Sequence, residues 1–173
     1  ITIKDSNKTP LVLMGYLNQM LKYGEDKFCQ KVVDCGIDTV ILPDLPMVEF
    51  ESHYKALFEK YGITNVFLIT PHTSEERIRK IDSYSKAFIY VVASASITGA
   101  KGGISNNQVA YFERIQNMNL QSNLIIGFGI SDKQTFNTAC NYANGTIIGS
   151  AFIKNIGKNG VDKIDDFIKP IIS

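Results

Sequence analysis

Two short apolar runs that each end in glycine constrain the fold of this chain more than any other feature. Residues 124–126, LII, lead into GFG at 127–129, and residues 146–148, TII, lead into GSA at 149–151. A glycine at the end of a strand lets the backbone approach a ligand closely, and the N-terminus of a following helix favours negative charge. The pair predicts backbone N–H groups that hold a phosphate, although two ordinary strand-to-helix turns would also use glycine, at positive φ.

Apolar, β-branched runs recur along the chain and alternate with stretches of helical spacing. Because these runs are continuous rather than alternating with polar residues, they indicate strands covered on both faces. Alternating strands and helices predict a parallel sheet with right-handed crossovers. The predicted strands are Leu11–Tyr16, Thr39–Leu42, Asn65–Ile69, Phe88–Val92, Leu124–Ile126 and Thr146–Ile148.

The stretches between the strands carry apolar residues spaced as on one face of a helix. Gly36 and Gly62 are typical residues to end two of these helices, and Thr73 or Ser74 is a typical cap for the start of another. The predicted helices are Asp26–Cys35, Glu49–Tyr61, one that begins at Thr73 or Ser74, Asn106–Gln116, one from Ser131 to about Tyr142, and Val161–Ile168.

This series of βα units fits two α/β architectures. An open doubly wound sheet accepts six strands, whereas a closed TIM (β/α)8 barrel needs eight and typically has about 250 residues. The glycine pair after the last two strands favours the barrel, because barrels frequently hold a phosphate there. We therefore expect residues 1–173 to form a single barrel domain with strands 3 to 8. The first two βα units, on the order of 80 residues, would precede Ile1.

Composition excludes several classes of function. A formal net charge of +1 gives no electrostatic footprint for nucleic acid or an anionic membrane. No apolar run approaches the length of a membrane span, and the first ten residues lack the layout of a signal peptide. The cysteines, Cys29, Cys35 and Cys140, have no metal-ligand spacing and are expected to be buried or half-buried thiols in a reducing compartment. We expect a cytoplasmic protein without a metal site.

The two histidines are expected to be structural. His53 and His72 have no Asp or Ser partner at a spacing typical of catalytic groups, and His53 falls on the polar face of a predicted helix. No phosphate-binding motif of the Walker type is present. Glu49 follows the second predicted strand at the start of a helix, where an acid is favoured by the helix dipole rather than by catalysis.

Motifs at the strand ends occur in a specific order: PLVLMGYLNQM, ILPDLP, ITPHTSEERIRKI, FIYVVASASITGAKGG, GFGISD and IIGSAFIK. In that order and at these intervals, the set resembles the α subunit of tryptophan synthase over essentially the whole chain. Other phosphosugar barrels of the same pathway, such as an isomerase or a synthase, share the glycine pair. The Asp-Leu-Pro turn and the Ile-Thr-Gly loop favour the tryptophan synthase family over them.

The resemblance implies a lyase of tryptophan biosynthesis, which cleaves indole-3-glycerol phosphate to indole and glyceraldehyde 3-phosphate by a retro-aldol reaction without a cofactor of its own. The reaction needs an acid to protonate the indole ring carbon, a base to take the proton of the glycerol hydroxyl, and a carboxylate near the indole N–H to stabilise the developing cation. In the family a Glu and an Asp have these roles, and they are expected upstream of Ile1. The alternative is a catalytically inactive barrel fragment that binds only a phosphate ligand or a partner.

The resemblance also implies which residues hold the phosphate. Backbone N–H groups of Gly99, Gly129, Gly149 and Ser150, together with the Ser150 hydroxyl, would bind it, and Phe128 would lie beside them.

Further residues are implied around the rest of the substrate. Tyr90 and Tyr16 would line the pocket for the indole and glycerol parts, although each also fits a buried strand tyrosine with a satisfied hydroxyl. Thr98 lies in a loop that closes over the substrate in the family. Ser94 and Ser96 depart from the family pattern, in which an Arg and a Gly are common at these positions.

The resemblance finally implies a protein partner. Asn18 and Asp44 would lie in loops that contact the β subunit of an α2β2 heterotetramer, and Asp44 would help to carry a signal between the two active sites. The β subunit takes the indole and joins it to serine with pyridoxal phosphate. Both residues also fit simple caps of turns.

Overall fold

A computed structural model describes residues 9–93, 105–127 and 129–172. The strands are β1 (Val12–Met14), β2 (Thr39–Ile41), β3 (Thr64–Ile69), β4 (Phe88–Val92), β5 (Asn123–Gly127) and β6 (Gly145–Ile147). The helices are α1 (Leu17–Tyr23), α2 (Glu25–Asp34), α3 (Met47–Glu49), α4 (Lys55–Tyr61), α5 (Glu75–Tyr84), α6 (Asn106–Asn117), α7 (Lys133–Cys140), α8 (Ser150–Asn159) and α9 (Ile164–Ile172). A π-helical turn (Phe50–Tyr54) joins α3 to α4, and a 3-10 turn (Val161–Lys163) precedes α9.

The sheet has six strands in chain order, β1-β2-β3-β4-β5-β6. Pairing is parallel between β1 and β2, between β2 and β3, and between β5 and β6. Helices lie between successive strands along the chain, which is the arrangement that parallel crossovers require. The predicted alternation of strands and helices is therefore confirmed.

The chain divides into two compact units. The first unit comprises Ile1–Phe67 and Tyr84–Phe88, and the second comprises Leu68–Ser83 and Ile89–Ser173. Each has its own buried apolar residues, which include Val40 and Phe58 in the first unit and Ile89, Phe112 and Ile126 in the second.

Aromatic packing organises the π-helical turn of the first unit. The Phe50 ring meets the Phe67 ring edge-on, with centroids 4.8 Å apart, and it lies 5.6 Å from the ring of Tyr84. Tyr54, at the end of the same turn, is also buried and packs on Phe58. The turn thus brings both of its ends into the core, which explains why one continuous helix was predicted from Glu49 to Tyr61.

Helix starts in the second unit are closed by local side chains. Ser105 and Gln108 form a reciprocal capping box at the start of α6. At α7 the cap is Asp132, whose carboxylate accepts a hydrogen bond from Thr135 N at 2.8 Å. The prediction that Ser131 heads this helix is therefore off by one residue, because the Asp132 carboxylate reaches the third helical amide.

Two expectations about burial are wrong. β1 is exposed along its whole length, with Val12 41% and Met14 53% exposed, since β1 stands at one end of the strand order and pairs only with β2 among the described strands. The Cys140 thiol is also exposed, whereas Cys29 is buried and Cys35 is half-buried. Within the described ranges, no helix combines the length and the apolar character needed to cross a membrane.

Candidate phosphate site at the strand ends

The ends of β5 and β6 lie side by side in the second unit. Their parallel pairing places Gly127 opposite Ile147. Gly129 and Gly149 each follow two residues after a paired position, so both glycines lie beyond the carboxyl ends of the strands at the same edge of the sheet. In parallel α/β barrels this is the edge where ligands bind.

Gly127 is required by its neighbour Tyr90. A Cβ atom at this position would overlap the ring and the hydroxyl of Tyr90, which comes from β4. β4 and β5 are neighbours at this point, since Ala93 N donates a hydrogen bond to Gly127 O at 3.0 Å. Gly127 therefore makes room for the tyrosine. A single sequence does not reveal this role, because the register of two strands decides which residues meet.

Gly129 and Gly149 differ from Gly127, since a Cβ at either position would meet open space. Gly129 has a φ of +85°, a left-handed conformation that favours glycine for backbone reasons. Gly149 has a φ of −103°, so neither backbone strain nor crowding requires a glycine there. Gly149 leaves its backbone open to approach, and a bound anion needs such access to reach the backbone N–H groups.

The N-terminus of α8 adds hydrogen-bond donors at Gly149. The first hydrogen bond of this helix runs from Ile153 N to Gly149 O, at 3.1 Å. The preceding amides, from Ser150 to Phe152, have no carbonyl partner within the helix. Ser150, the first residue of this helix, is exposed. Amides without a carbonyl partner in the helix, together with the positive end of its dipole, favour a phosphate at this place.

Tyr90 is a buried tyrosine beside these strand ends. Its side chain is 6% exposed, and burial raises the pKa of its hydroxyl, which therefore stays protonated at neutral pH. Its ring rests over the Gly127 backbone. A neutral, fixed phenol of this kind suits a pocket wall.

The sequence-predicted residues of the first unit lie at the ends of β1 and β2. The Asp44 carboxylate accepts a hydrogen bond from Leu17 N at 2.9 Å and so caps the start of α1. Tyr16 is the residue before α1 and is 59% exposed, whereas Asn18 is exposed in the first turn. Asp44 thus acts as a cap, one of the two roles predicted for it. Its hydrogen bond links the segment after β2 to the start of the helix after β1.

Several predicted residues lie outside the described ranges. They are Thr98, Gly99 and Phe128 of the substrate site, and the departures Ser94 and Ser96.

The first unit contains a polar cluster that the sequence did not indicate. Glu25 Oε1 accepts a hydrogen bond from the Tyr54 hydroxyl at 2.5 Å, and Glu25 Oε2 lies 3.0 Å from His53 Nε2. The bond from Tyr54 is the main reason why the pKa of Glu25 is below its usual value. His53 thus has a carboxylate partner, from a helix far away in sequence. Among the described residues, no group of three or more His, Cys, Asp or Glu side chains is arranged to hold a metal ion.

A parallel sheet in chain order, crossover helices and glycine turns at the strand ends define a protein of the (β/α) barrel class. The family model described as "Tryptophan synthase alpha chain" matches residues 2–171. The chain therefore belongs to the tryptophan synthase alpha chain family.

Individual relatives agree with this assignment. The chain is 57% identical over 169 residues to a tryptophan synthase alpha chain of Flavobacterium johnsoniae, covering 98% of this chain and 67% of the relative. A second one, of Christiangramia forsetii, is 49% identical, with 98% and 66% covered. The structure superimposes on the α-subunit from Pyrococcus furiosus with a TM-score of 0.85 at 26% identity, covering 98% of this chain and 69% of that one. The chain thus spans about two thirds of the length of these relatives.

Proposed function

We propose that this protein acts in tryptophan biosynthesis as a lyase. It binds indole-3-glycerol phosphate, which is cleaved by a retro-aldol reaction to indole and glyceraldehyde 3-phosphate. Membership of the tryptophan synthase alpha chain family over residues 2–171 is the observation that carries the proposal.

In this proposal the phosphate binds at the paired strand ends. Gly129, Gly149 and Ser150 supply backbone N–H groups, and Ser150 adds its hydroxyl. The open space at both glycines and the amides at the start of α8 that lack a partner within the helix support this role. Gly99 and Phe128 complete the phosphate site in the proposal, and Thr98 closes over it.

Tyr90 and Tyr16 have a different role in the proposal, which is to line the pocket for the indole and glycerol parts of the substrate. The neutral, buried hydroxyl of Tyr90 supports this for the first residue. Tyr16 has the exposure expected of a residue that contacts a ligand rather than the core.

The acid, the base and the carboxylate near the indole N–H are assigned to a Glu and an Asp outside residues 1–173, and no cofactor is assigned to this chain. The greater length of the relatives, of which this chain spans 67% and 66%, supports the assignment. The chemistry requires these groups because the indole carbon must gain a proton and the glycerol hydroxyl must lose one before the carbon–carbon bond breaks.

The proposal includes transfer of the indole to a tryptophan synthase β subunit that carries pyridoxal phosphate. Asn18 and Asp44 are the proposed contacts in an α2β2 complex. The family assignment and the exposure of both side chains support this interface.

Binding of indole-3-glycerol phosphate to a pair of glycine variants tests the phosphate site. Gly129→Val places a branched side chain in the open space over the backbone and should abolish the binding measured by calorimetry. Gly160→Val is the matched control, because Gly160 has nearly the same φ, +82°, and the same open surroundings. It lies at the other end of α8, about 15 Å from the first turn of that helix.

Both substitutions place a branched residue at a positive φ, so a loss of stability that the two variants share cancels in the comparison. We expect millimolar or tighter binding in the unsubstituted protein and in Gly160→Val, and none in Gly129→Val. Equal affinity in the two variants would refute the phosphate site.

Indole release separates binding from catalysis. The polypeptide of residues 1–173 alone should bind indole-3-glycerol phosphate without releasing indole, because the proposed acid and base are outside it. Release of indole by this polypeptide would show that the catalytic groups lie within it, and the assignment above would be wrong.

A further inference from the structure

An arginine on α6 holds the turn that follows β3. Arg114 Nη2 donates hydrogen bonds to Pro71 O at 3.1 Å and to Thr73 O at 3.3 Å. One guanidinium nitrogen thus fixes two carbonyls of the turn, from a helix about forty residues further along the chain. Charge-assisted hydrogen bonds of this kind are stronger than those between neutral groups.

The turn itself is closed by short-range hydrogen bonds. Thr73 N donates to Thr70 O at 3.0 Å, and Thr70 N donates to the Thr73 hydroxyl at 2.9 Å. β3 ends at Ile69, so the turn lies directly at the carboxyl end of that strand. The neighbouring strand is β4, which carries Tyr90. The turn therefore belongs to the edge of the sheet where the proposed substrate pocket lies.

The Tyr111 ring packs against the guanidinium of Arg114. The Arg114 guanidinium carbon lies 5.4 Å from the centroid of the Tyr111 ring, which is 5% exposed. Within the described part of the chain, the Tyr111 hydroxyl is buried without a hydrogen-bond partner. The aromatic face, not the hydroxyl, is therefore what Tyr111 contributes to this contact.

The contact requires an arginine in particular. A guanidinium can stack on a ring with its plane while its edge donates hydrogen bonds, whereas a lysine ammonium is a compact charge without such a plane. Arg114 Nε is buried without a partner in the described structure, so the position of this side chain is set by its Nη2 contacts and by stacking.

We propose that Arg114 is a positioning residue for the substrate pocket, acting through the Thr70–Thr73 turn. This inference rests on the proposed function. Holding the turn fixes the rim of the pocket beside β4, so that the substrate binds to a preformed site. Loss of the arginine would loosen the rim and weaken substrate binding, while the chemical step would be unaffected because Arg114 does not contact the reacting atoms.

Steady-state kinetics of indole release test this proposal, measured on the full protein that carries the proposed catalytic Glu and Asp in addition to residues 1–173. Arg114→Gln should raise KM for indole-3-glycerol phosphate about tenfold, as expected for the loss of a charge-assisted hydrogen-bond pair, with kcat unchanged within about twofold. Arg114→Lys should resemble Arg114→Gln, because it loses the stacking geometry. Tyr111→Phe should behave as the unsubstituted protein, because it keeps the ring.

Arg79→Gln is the matched control. Arg79 Nη1 also donates to a backbone carbonyl, that of Met118 at 3.3 Å, but this bond joins the middle of α5 to the residue that follows α6, not to the Thr70–Thr73 turn. A merely structural role of Arg114 would lower the melting temperature in both variants and leave KM unchanged in both. That result would overturn the proposal, as would full activity of Arg114→Lys.

Hydrogen exchange at the Thr70 and Thr73 amides tests the contact independently of activity. Both amides should exchange faster in Arg114→Gln than in Arg79→Gln. If the unsubstituted protein neither binds nor cleaves the substrate, the proposed function fails, and exchange then decides whether Arg114 holds the turn. Equal exchange in the two variants would refute the positioning role in either case.

Discussion

The end of β2 and the ends of β5 and β6 differ in whether the chain itself supplies the hydrogen-bond partner of the backbone that lies there. At β2 the chain supplies its own hydrogen-bond partner, since the Asp44 carboxylate accepts from Leu17 N. At β5 and β6 the chain supplies glycines with open space around them and a helix start whose first amides have no partner within the helix. A strand end that is satisfied internally favours stability, and one that is left open favours a ligand.

The two glycines at the end of β5 also differ in whether they serve the fold or leave room for a ligand. Gly127 and Gly129 are two residues apart, yet the first is crowded by Tyr90 and the second faces open space. A glycine alone is therefore a weak indicator of a ligand site. The space around the missing Cβ decides whether the residue serves the fold or the ligand.

The largest effect should come from filling the crowded position. Gly127→Ala forces the Tyr90 ring to move and should lower the free energy of unfolding by about 1–3 kcal/mol, the usual cost of overpacking. Gly145→Ala, in the paired strand β6, meets only the mobile end of Ile125 at 3.2 Å and should cost less. Denaturant unfolding measures both. Equal costs would mean that Gly127 is not there for Tyr90.

A smaller effect is expected at the internally satisfied strand end. Asp44→Ala removes the cap of α1 and should lower the free energy of unfolding by about 1 kcal/mol, as for other lost helix caps. Its affinity for indole-3-glycerol phosphate, measured by calorimetry, should not change. If affinity falls while stability holds, the contrast between the two kinds of strand end breaks down.

The smallest effect concerns pH at a cap in the second unit. The hydrogen bond from Thr135 N lowers the pKa of Asp132 below its usual value, so its charged form stabilises the fold. This contribution is complete above the usual carboxyl pKa and disappears as the pH falls through the lowered one. Asp132→Asn should therefore be less stable than the unsubstituted protein at neutral pH, with the difference shrinking in acid. Thermal unfolding at several pH values measures this difference in stability. A difference that stays constant with pH would contradict the assignment.

Elements with strong internal patterns were predictable from the sequence. β4 was predicted at its observed bounds, and α6 was predicted from Asn106 to within one residue of its end, because apolar periodicity and local caps define them. The glycines at the ends of β5 and β6 were predicted as strand-end glycines because each directly follows a short apolar run.

Elements that depend on distant residues were not predictable. α1 was missed because its cap, Asp44, lies 27 residues away from Leu17 in the chain. α8 was missed because none of its residues is fully buried; its inner face, at 151, 152, 155 and 156, is only half-buried. The contact of Tyr90 with Gly127 depends on strand register, and the turn held by Arg114 depends on how helix and strand pack.

The sequential strand order has a consequence for how this protein is made. Each described strand after β1 pairs with one that is already synthesised, because neighbours in the sheet are also neighbours along the chain. A ribosome that releases the chain from its N-terminus would therefore present each new βα unit to a finished template. Each exposed strand edge can then be covered by the next strand along the chain as that strand emerges.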